Sequence, residues 1–367
     1  MPTGLRRNGG LSTIASPIAA RRARPREVGP RISGVTVADS PTVLTQQQAL
    51  SRLGLAGDEF AERIFERSGV KRRRLVLSEE FMGRTLRGRT EQIERELLAH
   101  AIDAVERLQV DPQEIGTVIS ASLYSLGCPT LAHRLVDHFE MDPTTDKYHI
   151  TGVGCASAVP LMRLAGQTLR DAPHKKALVV AAESMSGLLS PAAPGDSKAK
   201  VIASALFGDG CGAALLSADA RAQGPTILAS QVHQIGESLG AVSLQFAQTD
   251  GYLHLARELP DLAGAGLRDV VDGFLRHNRL RGSDIDHWIV HPGGRRIIEN
   301  VQESLELSDE DVATSWRALA EHGNVGTPSI FYVLEDALKN DDPQPGERGL
   351  MVTIGPGVTV GLMLLGW

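Results

Sequence analysis

The chain has 367 residues and a mass of 39.3 kDa, is 42% hydrophobic and 22% charged, and carries a net charge of −6 with a pI near 6.0. That length holds two domains or one large paired one, the composition excludes wholesale disorder, and the acidity excludes a nucleic-acid-binding body, whose footprint is a pI above ~9. The three scattered cysteines, Cys128, Cys155 and Cys211, make neither a disulfide framework nor a zinc spacing, and no uncharged apolar run reaches the ~18 residues of a membrane span, so a cytoplasmic setting without membrane contact is expected.

Residues 1–31 hold seven arginines against a single acid, Glu27, without sustained periodicity, and are expected to be a flexible Arg-rich tail. An organelle transit peptide is the sharper alternative, but no amphipathic apolar face accompanies the arginines. From Asp58 the spacing predicts a helix with Phe60, Ile64 and Phe65 inward, ending near Gly69 and followed by a basic turn from Lys71 to Arg74. A longer amphipathic helix is expected over 90–110. Beyond it strands and helices alternate, and two stretches share one plan. In the first, VDPQEIGTVISAS leads to CPTLAHRLVDHFEM, then to the strand KYHITGVG, Cys155 and the helix ASAVPLMRLAGQTL. In the second, LRGSDIDHWIVHPGG leads to RRIIENVQESLEL, then to SWRALAEHG, Asn324 and the helix VGTPSIFYVLEDAL. Pro160 and Pro328 fall in the first turns of the two final helices, where a missing N–H costs little. The expectation is a duplicated α/β architecture that presents one polar residue from each half at a helix N-terminus.

Cys155 precedes an apolar-faced helix, and helix N-terminal N–H groups lower a thiol from ~8.5 to ~3.5–7.5. Alone, such a cysteine is as well read as a packed core thiol, His291 as a structural histidine, and Asn324 as an N-cap. Together they differ: Cys155 and Asn324 occupy equivalent points of the repeat, His291 ends the strand of the second copy, and all three can meet in one pocket. The GDG at 208–210 lacks the Lys-Ser/Thr of a phosphate loop and reads as a tight turn behind that pocket.

ITGVGCASAVPLMRLA, ALFGDGCGAALL, IVHPGGRRIIENV, LAEHGNVGTPSIFYVLEDAL and TIGPGVTVGLMLL, in this order and spacing, resemble the type III polyketide synthases, the chalcone and stilbene synthase group of the thiolase superfamily. The resemblance runs from about residue 32 to the C-terminus. It implies a thiolase-like α/β fold with a duplicated, five-layered αβαβα core, divided into 32–220 with the cysteine and 221–367 with the histidine and asparagine, and a homodimer. It further implies Cys155 as nucleophile, His291 and Asn324 as its catalytic partners, and Phe207 as an aromatic gate. Acyl-CoA and malonyl-CoA are the implied substrates, with no permanently bound cofactor and no metal. Arg63 and Arg67 match two basic CoA-contacting positions and Arg296 lies near a third, whereas Phe60 stands where the family has a lysine. Cys128-Pro129 aligns with a Met-Pro loop that reaches the partner subunit's cavity; Cys211 is expected to be inert.

The chemistry implied is attack of a Cys155 thiolate, paired with a His291 imidazolium, on an acyl-CoA thioester. Decarboxylation of malonyl-CoA follows, with donors from His291 and Asn324 meeting the enolate oxygen and the Phe207 ring disfavouring the malonyl carboxylate. Departures concern the product. Met185 and Leu188 add bulk where plant chalcone synthases are small or hydroxylated, which favours few extensions and a short pyrone- or resorcinol-like product. Leu253 replaces a second aromatic gate and Gly326 a serine, leaving room for an aliphatic starter. The terminal GPGVTVG lacks the family's usual Glu, which weakens any copy of its cyclisation chemistry. The competing expectations are a ketoacyl-synthase-III-like single condensation, acyl transfer without extension, and a catalytically silent binding subunit.

Overall fold

The computed structural model describes residues 29–367 except 124, 126, 192–196, 247–250 and 265. Most of the expected arginine-rich tail, residues 1–28, lies outside the described residues. The N-terminal half contains β1 (Arg31–Ala38), β2 (Val43–Thr45), α1 (Gln46–Arg52), α2 (Glu59–Arg67), β3 (Arg72–Arg74), α3 (Glu79–Met82), α4 (Leu86–Arg107), β4 (Ile115–Ala121), α5 (Leu131–His138), β5 (Asp146–Ile150), α6 (Ala158–Asp171), β6 (Lys176–Glu183), α7 (Lys198–Leu206) and β7 (Gly210–Ser217). The remainder contains β8 (Thr226–Gln234), β9 (Val242–Phe246), β10 (Gly251–Leu255), α8 (Leu259–Gly264), α9 (Leu267–His277), β11 (His287–Val290), α10 (Arg295–Leu305), α11 (Ala313–His322), α12 (Ser329–Asn340), β12 (Arg348–Gly355) and β13 (Thr359–Gly366).

Local chemistry sets the ends of these elements. Asp58 caps α2 by accepting from the backbone N–H groups of Phe60 and Ala61 at 2.8 and 2.9 Å, and Glu59 and Glu62 complement its first turn. The expected basic turn at Lys71–Arg74 is corrected in part: Arg72–Arg74 form β3, antiparallel to β2, because the alternation of side chains lets Arg73 point inward while its neighbours face out.

Nine strands form one sheet in the order β11-β12-β13-β8-β1-β7-β6-β4-β5. The two halves of this order are related. β4 pairs in parallel with β6, which pairs antiparallel with β7, and β7 with β1; likewise β11 pairs in parallel with β12, which pairs antiparallel with β13, and β13 with β8. The duplication is incomplete at one place. β5 runs parallel to β4, whereas the corresponding stretch of the second copy is α11, because SWRALAEH is rich in strong helix formers and KYHI is not.

Five layers follow from which faces are apolar. α6 and α12 lie at the centre, with Ala158, Leu161 and Met162 of the first and Ile330, Phe331 and Leu334 of the second packed against residues of β4, β6, β7 and of β11–β13. The first half of α12, Ser329–Leu334, is buried all round and sits inside, and burying each such large apolar side chain contributes ~1.5–3 kcal/mol. α4 and α5 cover the outer face of the β4-β6-β7 half, and α9 and α10 cover that of the β11–β13 half. The central helices therefore begin, side by side, where the two half-sheets meet.

Candidate active site

Cys155 lies in a single 3-10 turn, Gly154–Ala156, that runs through Ser157 into α6. Asn324 stands at the matching place before α12, tied backbone-to-backbone to the C-terminal end of α7: its N–H donates to Leu206 O at 2.8 Å and its carbonyl accepts from Gly208 N at 3.0 Å. Phe207, between those two residues, is thereby held beside Asn324 in an isolated parallel bridge. His291 directly follows β11 and donates its backbone N–H to Val352 O at 2.9 Å. The two copies are also pinned directly, by Thr327 Oγ1 donating to Gly154 O at 2.8 Å.

Cys155, His291, Asn324 and Phe207 line one cavity of about 70 Å3. The structure brings together these four sequence-predicted residues and leaves the three arginines outside the cavity. Asn324 Oδ1 accepts from Gly326 N at 2.9 Å and from Ser329 Oγ at 3.3 Å, and faces the Cys155 thiol, which donates across 3.8 Å. Its Nδ2 donates to Gly293 O at 3.1 Å, and the second amide hydrogen is left for another acceptor. His291 is buried, and its Nδ1 has no partner among the described residues.

The ionisation expected from sequence is corrected. Burial, and then the nearby Glu183 carboxyl, push the Cys155 thiol up to about 12 against the lowering by Asn324 and by its own backbone, and burial pulls His291 down to about 3. Both shifts favour the uncharged thiol and the uncharged imidazole. The unpaired Nδ1 is a buried hydrogen-bonding position left open among the described residues, at a cost of ~1–3 kcal/mol.

Two residues of the site escaped the sequence reading. Glu183 ends the apolar strand ALVVAAE, is buried, lines the cavity and accepts from Leu123 N at 3.0 and 2.9 Å; burial raises its carboxyl to about 8. The signal was a lone acid closing a buried run. Arg73 is fully buried and donates to Phe207 O at 2.7 Å and Ser204 O at 2.5 Å, capping the carbonyl end of α7 under Phe207. The GDG at 208–210 is a turn whose Asp209 accepts from Ser186 N and Oγ at 2.8 and 2.6 Å, and Gly208 is required because a Cβ there would lie 2.5 Å from His322 O.

Arg63 and Arg67 are exposed on α2, and Arg63 is paired with Glu59 at 3.6 Å. Gly69, two residues past α2, faces the first turn of α10: a Cβ added there would lie 3.7 Å from the Cβ of Arg295, beside which Arg296 is exposed and Ile297 lines the cavity. Lys198 Nζ, from α7, stands 5.3 Å from the ring centroid of Phe60, so a cation from another helix occupies the neighbourhood of a position that the resemblance assigns to lysine. The expected opening at Gly326 is corrected: its φ is +73°, and a Cβ there would lie 2.7 Å from Met185 Cε, so the space is already filled by Met185.

Comparison with known proteins agrees with this geometry. Residues 35–268 match the family described as FAE1/type III polyketide synthase-like protein, and residues 227–366 match the chalcone and stilbene synthase C-terminal domain. A 3,5-dihydroxyphenylacetyl-CoA synthase of Streptomyces toyocaensis is 30% identical over 95% of this chain and 93% of its own. The alpha-pyrone synthesis polyketide synthase-like Pks18 of Mycobacterium tuberculosis is 29% identical over 91% and 90%. The crystal structure of PKS-I from the brown alga Ectocarpus siliculosus superposes with a TM-score of 0.85 at 25% identity, covering 94% of this chain and all of the other. With matched family models spanning nearly the whole described chain and the thiolase-like fold in place, this protein belongs to the type III polyketide synthases, acyltransferases that work on CoA thioesters.

Proposed function

We propose that the protein loads an acyl-CoA starter on Cys155 and extends it by decarboxylative condensation with malonyl-CoA, releasing a short polyketide of pyrone or resorcinol-like type. The observation that carries this reading is the meeting of Cys155, His291, Asn324 and Phe207, from four separate elements, in one cavity. When a thioester carbonyl enters, His291 takes the Cys155 proton, sulfur attacks the carbonyl carbon, and the imidazolium returns the proton to the departing CoA sulfur. Malonyl-CoA then breaks its bond to the carboxylate, releasing CO2 and leaving an enolate. The His291 ring and the free Asn324 amide hydrogen stabilise its oxygen. The enolate carbon attacks the acyl group, and Cys155 sulfur leaves with the electron pair. Phe207 supplies an apolar wall against which the carboxylate is poorly solvated.

Arg67 and Arg296, with Arg63 and Lys198, would bind the CoA phosphates at the α2–α10 mouth. The relatives' names include a pyrone synthase and a dihydroxyphenylacetyl-CoA synthase, and the cavity's closed side at Met185 and Leu188 supports a small number of extensions. A homodimer is supported by β5, which among the described strands pairs only with β4 and carries the exposed Tyr148 at the sheet's edge. Among the described residues no helix is long and apolar enough to cross a membrane.

The test is to offer malonyl-CoA with a panel of acyl-CoAs and to read products by mass spectrometry beside Cys155→Ala. CO2 release and extended products that vanish in the variant support the proposal. Acylated Cys155 without CO2 or extension replaces it with acyl transfer, and absence of acylation replaces it with a silent binding subunit.

A further inference from the structure

The cavity holding Cys155 continues in two directions, and the two differ. Past Met185 and Phe207 it meets Leu188, Leu189 and Ala203, where about 10 Å3 remains, no more than the ~10–15 Å3 that a single water needs. Past Leu123, Val242, Leu253 and Pro356 it meets a second cavity of about 290 Å3, because those four residues line both. This second space ends at Thr151 and Gly152, which are exposed after β5. Leu253 and Leu244 are cross-strand partners in the β10–β9 hairpin; Leu253 lines both cavities and Leu244 only the outer one. The hairpin therefore forms a continuous hydrocarbon wall from the cysteine to the surface.

We propose that this passage holds the tail of an unbranched aliphatic acyl starter, its carbonyl at Cys155 and its chain running past Leu123 and Leu253 toward Thr151. The inference rests on the condensing reading above and names its substrate class. Among the described residues, Thr151 and Ser243 supply the only polar side chains of the outer cavity, and neither lines the inner one. A hydroxylated or charged starter would give up water without gaining a partner along this wall. A linear chain gains with every methylene buried, about fourfold each at full burial. No comparable gain is open on the Met185 side, where the chain would have to displace packed side chains. A short starter would leave the outer cavity unused.

The experiment measures kcat/KM of the full chain for acetyl-, hexanoyl-, decanoyl- and benzoyl-CoA with malonyl-CoA, together with the rate of Cys155 acylation by intact mass. Decanoyl-CoA is expected to exceed acetyl-CoA by about thirtyfold or more, a fraction of the full methylene gain. Leu244→Trp, which fills the outer cavity, is expected to reduce the decanoyl-to-acetyl ratio at least about tenfold. Thr151→Trp, at the exposed mouth where folding is least at risk, is expected to shorten the longest chain accepted. Equal use of acetyl- and decanoyl-CoA, a preference for benzoyl-CoA, or a ratio unmoved by both variants overturns the proposal. Preferential acylation by decanoyl-CoA without CO2 release would overturn the condensing reading and leave the passage standing.

Discussion

Asn324 presents its amide oxygen to Cys155, 3.8 Å from Sγ, while its amide nitrogen holds the Gly293 carbonyl at 3.1 Å. One side chain thus joins the turn before α6, the loop after β11 and the turn before α12. Asn324→Ala removes both the proposed enolate donor and the tie to Gly293, and malonyl-CoA decarboxylation is expected to fall by at least about 100-fold. His291→Ala should lose as much. A near-normal CO2 release rate in either variant would remove that residue from the role assigned to it.

Glu183 and Cys155 compete for charge in one cavity. The carboxyl, raised to about 8 by burial, is neutral at pH 7 and anionic above pH 8, where it opposes formation of the thiolate. Glu183→Gln should therefore leave Cys155 alkylation by iodoacetamide unchanged near pH 6 and accelerate it about three- to tenfold at pH 9. Superimposable rate–pH curves would sink the coupling. The same shift has a stability consequence. A carboxyl whose folded pKa lies above its ordinary 4.5 holds an extra proton in the folded state, so its contribution declines as pH rises from about 4.5 to about 8. The variant should flatten that part of the Tm–pH profile.

Arg73 holds the backbone of Phe207 from below. Arg73→Met strips the Phe207 and Ser204 carbonyls of charge-assisted donors worth ~1.5–3 kcal/mol each, partly offset by relief of a buried charge. A net loss of about 2–3 kcal/mol is expected, seen as a Tm decrease of about 3–4 °C by thermal unfolding. Arg73→Lys should not restore it, because an ammonium lacks the planar fork that reaches two carbonyls at once. An unchanged Tm would show that the buried guanidinium contributes nothing net.

The cations at the α2–α10 mouth are expected to act on binding and not on chemistry. Arg67→Ala combined with Arg296→Ala should raise KM for malonyl-CoA about tenfold, equivalent to ~1.4 kcal/mol, with kcat little changed. The difference from wild type should shrink in ~1 M salt, where charges are screened within ~3 Å. Malonyl-N-acetylcysteamine, which lacks the phosphates, should show no such difference; if it does, the arginines act through the fold.

Much of the site was legible in the chain itself. The repeat, and the location of Cys155, His291 and Asn324 at the ends of its elements, followed from local chemistry: caps, first-turn prolines, an apolar strand closed by His-Pro-Gly-Gly. Those signals are short-range, so a linear reading captures them. It captured them less well at SWRALAEHG, where helix propensity replaced the strand that the first copy has at KYHI.

Tertiary structure decided what depends on residues distant in sequence. Side chains from both halves bury the Cys155 thiol and the His291 ring, and that burial shifts both toward their uncharged forms. Arg73 lies in a run of four basic residues that reads as a solvated turn, yet the β2–β3 pairing turns it under Phe207. Gly326 reads as added room, and Met185 fills it. The sequence by itself determined the family's architecture and which residues could react. Their protonation and the direction in which the cavity opens were decided only by the packing, because both are sums over neighbours that the order of residues does not place side by side.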